Sequence, residues 1–113
     1  MEHTIDAKNK KLGRLATEIA VILQGKNDAA FQKNIVSKDT VLVINAAQVR
    51  IDGAKMDKQY VRYTGYPGGL LTESRKAMIE RKGMESVIVA TVKNMLPKNK
   101  LQKLLLQKLV VQE

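Results

Sequence analysis

Four basic residues precede or begin the clearest helical segment of the chain: Lys8, Lys10, Lys11 and Arg14. The N-terminal end of a helix carries a partial positive charge, so cations at this end do not stabilise the helix. A phosphate group bound there would satisfy both the free helix amides and the basic side chains. A solvated run of charge is the alternative interpretation, and this group alone does not decide between the two.

A glycine-rich stretch, residues 64–69, follows Arg62 and Tyr63. Three glycines and one proline within residues 65–69 predict a loop. Glycines let a backbone approach a phosphate closely, so that exposed N–H groups can hold it. The stretch matches neither Gly-x-Gly-x-x-Gly nor a Gly-Lys-Ser/Thr ending, the two common nucleotide-binding patterns. Taken alone, it is more simply an ordinary surface loop.

A third basic group surrounds Pro97 near the C-terminus. Its members are Lys93, Lys98, Lys100, Lys103 and Lys108. After Lys93 the only acidic residue is Glu113, while Asn94 and Asn99 add neutral hydrogen-bonding groups. A basic turn followed by a lysine-flanked helix is suited to contact a nucleic-acid backbone. The alternative is a solvated helix face.

The distribution of charge favours a polyanionic partner. The chain has 20 Lys and Arg against 11 Asp and Glu, a net charge of +9. Residues 75–113 hold nine basic and three acidic side chains, so two thirds of the excess (+6 of +9) lies there. Self-repulsion of this kind costs stability, and phosphates of RNA or DNA would offset it through counterion release. A charge that serves solubility alone is the alternative.

The composition excludes several classes of function. There is no Cys, and His3 is the only histidine, so a thiolate zinc site or a Ser-His-Asp triad has little to build on. No carboxylate pair is suggested, and we expect no enzyme activity, cofactor, metal or small-molecule substrate. The four aromatic residues are too few for base stacking to dominate nucleic-acid binding. No membrane span or secretory signal is recognisable, which predicts a cytosol-like compartment.

Hydrophobic periodicity predicts one α/β domain over residues 1–113, with no separate linker or tail domain. Strands are predicted at 3–6, 41–44, 59–63 and 109–111, and an alternating segment at 48–51 ends in an Asp52-Gly53 turn signal. Helices are predicted at 12–23, from Thr72 or Ser74 to Lys82, and at 101–106. Residues 84–96 fit both periods, and their length favours a helix over a strand.

Four collinear motifs resemble one family, the universal large-subunit ribosomal protein L-thirteen. The first runs from Asp6-Ala7 through residues 12–18 (LGRLATE) to Gly25-Lys26. The second is residues 43–46 (VINA), followed by Val49 and Gly53. The third is residues 63–65 (YTG) with Gly68-Gly69, and the fourth is Val92-Lys93 with residues 95–98 (MLPK), Leu101 and Lys108-Leu109. Together they cover the chain from about Ile5 to Val111.

The resemblance implies a three-layer α/β/α fold around a four-stranded, mainly parallel sheet. It also implies a non-enzymatic, structural role in the large ribosomal subunit, with contacts to large-subunit rRNA and neighbouring ribosomal proteins and a part in assembly and translation. Some members of the family also bind messenger RNA. Combined with the basic groups, it predicts the following RNA-binding residues: Lys8, Lys10, Lys11, Gly13, Arg14, Lys26, Arg62, Tyr63, Thr64, Gly65, Tyr66, Gly68, Gly69, Lys93, Pro97, Lys98, Asn99, Lys100, Lys103 and Lys108.

The chain also departs from the family pattern. It lacks the basic N-terminal extension of many bacterial members, and its C-terminal tail is short. Asn99 and Gln102 stand where glycines are common, so the path after Pro97 is open. The chain resembles a reduced bacterial-type member, from a cytoplasmic or an organellar ribosome. Two other functions are weighed against this one, a free regulator of messenger RNA and, more remotely, an enzyme acting on a phosphorylated substrate.

Overall fold

The structure, a computed structural model, is mixed α/β and describes residues 2–29, 32, 34–36, 38–51 and 58–112. Its elements in chain order are β1 (Glu2–Asp6), α1 (Leu12–Gln24), β2 (Thr40–Ile44), a 3-10 turn (Ala46–Gln48), β3 (Gln59–Tyr63), β4 (Leu70–Ser74), α2 (Arg75–Lys82), α3 (Met84–Met95), α4 (Leu101–Leu106) and β5 (Leu109–Val111). β2 lies between β1 and β5 in a parallel sheet, and β3 and β4 form a separate antiparallel hairpin.

The helix α1 forms where the apolar period predicts it. Its buried side chains are Leu12, Leu15, Ala16, Ile19, Ala20 and Leu23, which form one stripe along the helix. Gly25 ends the helix with φ of 79°, a left-handed conformation that glycine adopts without strain. The N–H of Lys26 then donates to the carbonyl of Val21 at 3.2 Å, which closes the last turn.

The hydrophobic core lies between α1, α3 and one face of the parallel sheet. Val41 and Val43 of β2 are almost completely buried on that face. The helix α3 contributes Val87, Ile88 and Val92, each fully buried. These side chains recur at helical spacing, so packing of one helix face overrides the preference of β-branched residues for strands. The predicted helix over this segment is confirmed.

The four-stranded, three-layer arrangement is not confirmed, because the described part of the parallel sheet has three strands. The alternating segment 48–51 forms no strand of its own. It follows the 3-10 turn and makes a single parallel bridge, between Arg50 and Lys11. On the second face of the sheet, Leu42 is half-buried and Val110 is 52% exposed, so the described residues cover that face only in part. The predicted Asp52-Gly53 turn lies outside the described residues.

The hairpin explains the choice between the two predicted helix caps. Thr72 lies within β4. The sequence pattern did not predict this strand, since most of its side chains are exposed and show no alternation of buried and exposed positions. Ser74 caps α2, since its hydroxyl oxygen accepts a hydrogen bond from the N–H of Ala77 at 3.2 Å. Gly83 then separates α2 from α3. Within the described residues, no helix is long and apolar enough to cross a membrane.

The core assignment predicts a strong effect for Ile88→Ala. This change deletes fully buried methyl groups between α3 and α1, and we expect a loss of about 2–5 kcal/mol in the free energy of unfolding. The matched control is Leu104→Ala, because Leu104 is 46% exposed and should cost less than about 1 kcal/mol. Urea denaturation followed by circular dichroism measures both, and equal losses would contradict this description of the core.

Candidate nucleic-acid interface

The turn between β1 and α1 is held by backbone hydrogen bonds to the segment that follows β2. Asn9 adopts a left-handed conformation, with φ of 58°, and its N–H donates to the carbonyl of Gln48 at 3.1 Å. The N–H of Arg50 donates to the carbonyl of Lys10 at 2.8 Å. Backbone hydrogen bonds to the segment after β2 therefore fix the path of the basic turn.

The carboxylate of Asp6 ties the ends of β1 and β2 together beside this turn. It accepts hydrogen bonds from the side-chain amide of Asn45 at 3.0 Å and from the N–H of Lys8 at 2.9 Å. These bonds, with that from Asn45 the stronger cause, hold the pKa of Asp6 below its ordinary value of 3.8. Asp6 is thus an ionised structural group at neutral pH and does not have the raised pKa expected of a catalytic acid.

At the start of α1, where the sequence predicts an anion site, most basic side chains have no acidic partner among the described residues. Lys11 occupies the N-cap position without a capping side-chain hydrogen bond, and no acidic residue lies in the first turn. Lys10 pairs with Glu18 at 3.1 Å on the surface, whereas Lys8, Lys11 and Arg14 make no ion pair with a described residue. Since the first amides of a helix have no partner within it, this end presents both N–H groups and cations.

A small cleft beside the helix start contains two arginines that sequence reasoning missed. Lys11, Gly13, Arg50 and Arg75 line it. We call it the arginine cleft. Arg50 reaches it through the backbone pairing with Lys11, and Arg75 reaches it from the start of α2. Lys11 was predicted as a site residue because it is a cation at the positive end of a helix. Arg75 is also a cation at the start of a helix, so the sequence contained the same indication for it.

The glycine-rich stretch is the tip of the β3–β4 hairpin, as the loop prediction requires. The N–H of Thr64 donates to the carbonyl of Gly69 at 3.1 Å, and the N–H of Gly69 donates to the carbonyl of Tyr66 at 2.9 Å. Gly65 and Gly68 have φ of 91° and 72°, which side-chain-bearing residues rarely adopt. Tyr63 and Tyr66 are exposed, and so is Arg62.

The hairpin is clamped to α2 by an ion pair between Glu73 and Arg81. The guanidinium donates two hydrogen bonds to the carboxylate, at 2.8 and 2.7 Å. These bonds lower the pKa of Glu73 below its ordinary value of 4.5 and raise that of Arg81. The base of the hairpin is thus fixed relative to α2, whereas its tip projects into solvent.

The C-terminal basic group forms a shaped surface around the Pro97 turn. The side chain of Asn99 accepts a hydrogen bond from the N–H of Leu101 at 3.0 Å, which holds the start of α4. The side-chain amide of Gln102 donates to the carbonyl of Lys93 at 2.7 Å, which joins α4 to the end of α3. The path after Pro97, left open by the sequence, is therefore a tight turn into α4.

Asn99 joins two clefts into one surface. One cleft, of about 340 Å³, is lined by Lys26, Pro97 and Asn99 among others. The other, of about 650 Å³, is lined by Lys93, Asn99, Lys100 and Lys103. We call these six residues the C-terminal surface. Its four lysines make no ion pair with a described residue.

The predicted site residues therefore fall into separate surfaces. Lys26, distant in sequence from the Pro97 group, is brought to it because α1 ends beside that turn. Lys98 is exposed within the turn itself, and Lys108 is half-buried just before β5. The hairpin tip shares no described cleft with either the helix start or the C-terminal surface. Across the described residues, no cluster of His, Cys, Asp and Glu could hold a metal ion.

The tight hairpin tip predicts that Gly69→Ala loosens it. A methyl group at this position would collide with the Thr64 side-chain oxygen and lie 2.9 Å from the Tyr66 carbonyl oxygen. We expect a loss of about 1–3 kcal/mol in local stability, read as faster amide exchange at Thr64 and Gly69. The control is Gly13→Ala, where the added methyl group meets nothing within 4 Å and exchange should stay equal or become slower. Unchanged exchange in Gly69→Ala would contradict the loop geometry.

The clamp between hairpin and α2 predicts a pH-dependent stability. Because the pKa of Glu73 is lowered in the folded chain, its contribution is complete above about pH 4.5 and is lost as the pH falls through the folded pKa. Wild type and Glu73→Gln should therefore differ in unfolding free energy at neutral pH and converge in acid. Glu80→Gln, which removes a neighbouring carboxylate without a described ion pair, should show no such convergence. A difference that persists at pH 2 would exclude the clamp as its cause.

Comparison with known proteins agrees with the four motifs. A model of the family described as "Ribosomal protein L13" matches residues 1–113. The large ribosomal subunit protein uL13 of Clostridioides difficile (strain 630) is 45% identical over 97 residues, which cover 85% of this chain and 67% of the relative. The uL13 of Maridesulfovibrio salexigens is 46% identical over 95 residues, which cover 83% and 66%. That of Geobacter sulfurreducens is 46% identical over 97 residues, which cover 85% and 67%.

The aligned stretch spans about two thirds of the length of these relatives. The family model, in contrast, matches this chain from end to end. The aligned 97 residues make up most of the 113-residue chain, so the similarity is not confined to one motif. The resemblance drawn from the four motifs is therefore confirmed, and the chain belongs to the ribosomal protein L13 family.

Proposed function

We propose that this chain is a structural component of the large ribosomal subunit that binds large-subunit rRNA and supports subunit assembly and translation. The observation that carries the proposal is the C-terminal surface, where Lys26 after α1, Lys93 of α3 and Lys103 of α4 line two adjoining clefts with no acidic residue in their described walls. The relatives are named large ribosomal subunit proteins, which supports the ribosome as the place of action. Family membership makes the chain a non-enzymatic protein.

Binding would rest mainly on phosphate contacts. The lysines of the C-terminal surface neutralise backbone phosphates, and release of condensed counterions supplies much of the free energy. The helix start adds free amides beside Lys11 and Arg14, and the hairpin tip adds glycines that allow close approach of the RNA backbone. Pro97 and Asn99 fix the turn, so that the surface keeps its shape when RNA docks. Shape and charge, rather than base stacking, thus determine recognition.

Neighbouring ribosomal proteins are the second class of partner. Val61, Tyr63 and Leu70 lie on one face of the hairpin and are each more than 60% exposed. The half-covered second face of the parallel sheet also leaves apolar surface for contacts, or for the further layer of a four-stranded, three-layer domain. We place the chain in the large subunit of a cytoplasmic ribosome, and the same surfaces suit an organellar one.

Two measurements test the proposal together. The chain should co-sediment with large subunits, and ultraviolet crosslinking in cells should connect Arg14, residues 62–69 and residues 93–103 to large-subunit rRNA. Exclusive recovery in ribosome-free fractions would refute the structural role. Crosslinks concentrated on a few messages would instead support a regulator of messenger RNA, the alternative that uses the same basic surface.

The phosphate mechanism predicts a specific loss of salt dependence. The triple change of Lys93, Lys100 and Lys103 to Gln should reduce the slope of log affinity against log salt for an rRNA fragment by about 2–3 units. The matched control removes three exposed lysines outside the C-terminal surface, with Lys38, Lys76 and Lys82 changed to Gln, and should leave most of the slope intact. Equal slopes for the two variants would show that only net charge matters. Filter binding over a range of salt concentrations measures both.

A further inference from the structure

The arginine cleft brings three cations together from distant parts of the chain. Lys11 lies at the N-cap of α1, Arg50 follows the 3-10 turn, and Arg75 is the first residue of α2. All three line one cleft of about 200 Å³, together with Gly13. No acidic side chain belongs to its described walls. As far as its described walls go, the cleft is thus a concave site with charge of one sign.

Arg75 is the unusual member, because it is a charged residue that is almost completely buried. The residue is only 6% exposed, and it is the one charged residue among the described buried positions. Its Nε donates to the hydroxyl of Tyr60 at 3.1 Å, and its guanidinium lies 5.9 Å from the centre of the Tyr60 ring. Its backbone N–H donates to the carbonyl of Lys58 at 2.8 Å. These contacts fix the position of the side chain.

Most of the hydrogen-bonding capacity of Arg75 is not used by described residues. A guanidinium has five N–H donors, and the described hydrogen bonds of Arg75 use one of them, at Nε. No described carboxylate forms an ion pair with it. A cation in a buried residue is costly when it lacks a counter-charge, and no described residue supplies one, so a bound anion would stabilise Arg75.

The opposite wall supplies further donors. The N–H of Leu12 is satisfied by the carbonyl of Arg50 at 3.2 Å, and the N–H of Leu15 by the carbonyl of Lys11 at 3.0 Å. Gly13 and Arg14 lie between these two residues, and their N–H groups make no hydrogen bond with a described acceptor. Gly13 has no side chain to fill the cleft, and a methyl group placed there would meet nothing within 4 Å.

We infer that the arginine cleft is a binding site for a single phosphate group, held by Arg75, Arg50 and Lys11 against the N-terminal amides of α1. An Arg fork matches the oxygens of a phosphate, and a helix N-terminus complements its charge. The cleft is smaller than the 300–1,000 Å³ typical of small-molecule pockets, which suits one phosphate rather than a whole nucleotide. This inference rests on the proposed function, because it makes an RNA phosphodiester the natural occupant.

The test compares inorganic phosphate with RNA on the full chain. Arg50→Gln is the main variant, because Arg50 is exposed and its loss should not affect folding. Arg75→Gln is the second variant, and Gly13→Ala is a third that blocks the cleft without removing charge. Lys82→Gln is the charge-matched control, since Lys82 is exposed and lies outside the cleft. Circular dichroism verifies the fold of each variant before binding is measured.

With an rRNA fragment at moderate salt, we expect Arg50→Gln to weaken binding about tenfold and to lower the salt slope by about one unit. Lys82→Gln should change affinity less than about threefold. In NMR titrations with inorganic phosphate, the amide signals of Gly13 and Arg14 and the Nε–H signal of Arg75 should shift saturably, and Arg50→Gln should abolish the shifts. If phosphate alone gives no shift while the rRNA result holds, the site accepts only the phosphodiester of RNA.

The failures are distinguishable. If rRNA binds but Arg50→Gln and Gly13→Ala both behave like Lys82→Gln, the phosphate site is refuted and the proposed function stands. If phosphate shifts the signals but no variant or wild type binds rRNA, the site is supported and the proposed function is refuted. If neither probe binds, both are refuted.

Discussion

The rest of the structure depends on the buried stripe of α1. This single helix packs against the inner face of the parallel sheet and against α3, so its position is determined from two sides. Its first residue lies beside Arg50 and the arginine cleft, and its end lies beside the Pro97 turn. At 1.5 Å per residue, a helix of 13 residues separates these two surfaces by about 20 Å. The core thereby fixes the distance between two groups of cations.

Local signals predict the fold well where several of them agree. In α1, apolar period, length and the terminal glycine all indicate the same helix, and the short apolar run 41–44 forms the strand β2 as predicted. Non-local pairing is different. The segment 48–51 has the alternation of a strand, yet it begins in the 3-10 turn and forms only one isolated bridge, between Arg50 and Lys11. The number of strands in the sheet is decided by such partner choices, which the sequence pattern does not contain.

The candidate surfaces show the same difference between features that local sequence predicts and features that depend on distant contacts. Groups of lysines close together in sequence were recognisable as groups, because neighbouring residues stay neighbours in the fold. The proximity of Lys26 to the Pro97 turn could not be recognised in the sequence, because it arises only when α1 packs beside the end of α3. Arg50 and Arg75 were missed for a related reason. Both are distant from Lys11 in the sequence, and only packing brings the three cations to one cleft.

The chain uses its charges in two ways. Lys10 and Arg81 pair with carboxylates, and the Arg81 pair fixes a structural element, the hairpin on α2. In contrast, the stretch from Ser86 to Gln112 contains five lysines and no acidic residue, and Lys93, Lys100 and Lys103 form no ion pair with a described residue. Acidic residues placed there would reduce self-repulsion and stabilise the free chain, but they would also repel phosphates. We therefore expect the excess of lysines in this stretch to lower the stability of the free chain through self-repulsion. A polyanion that binds only the folded chain would restore it by linkage.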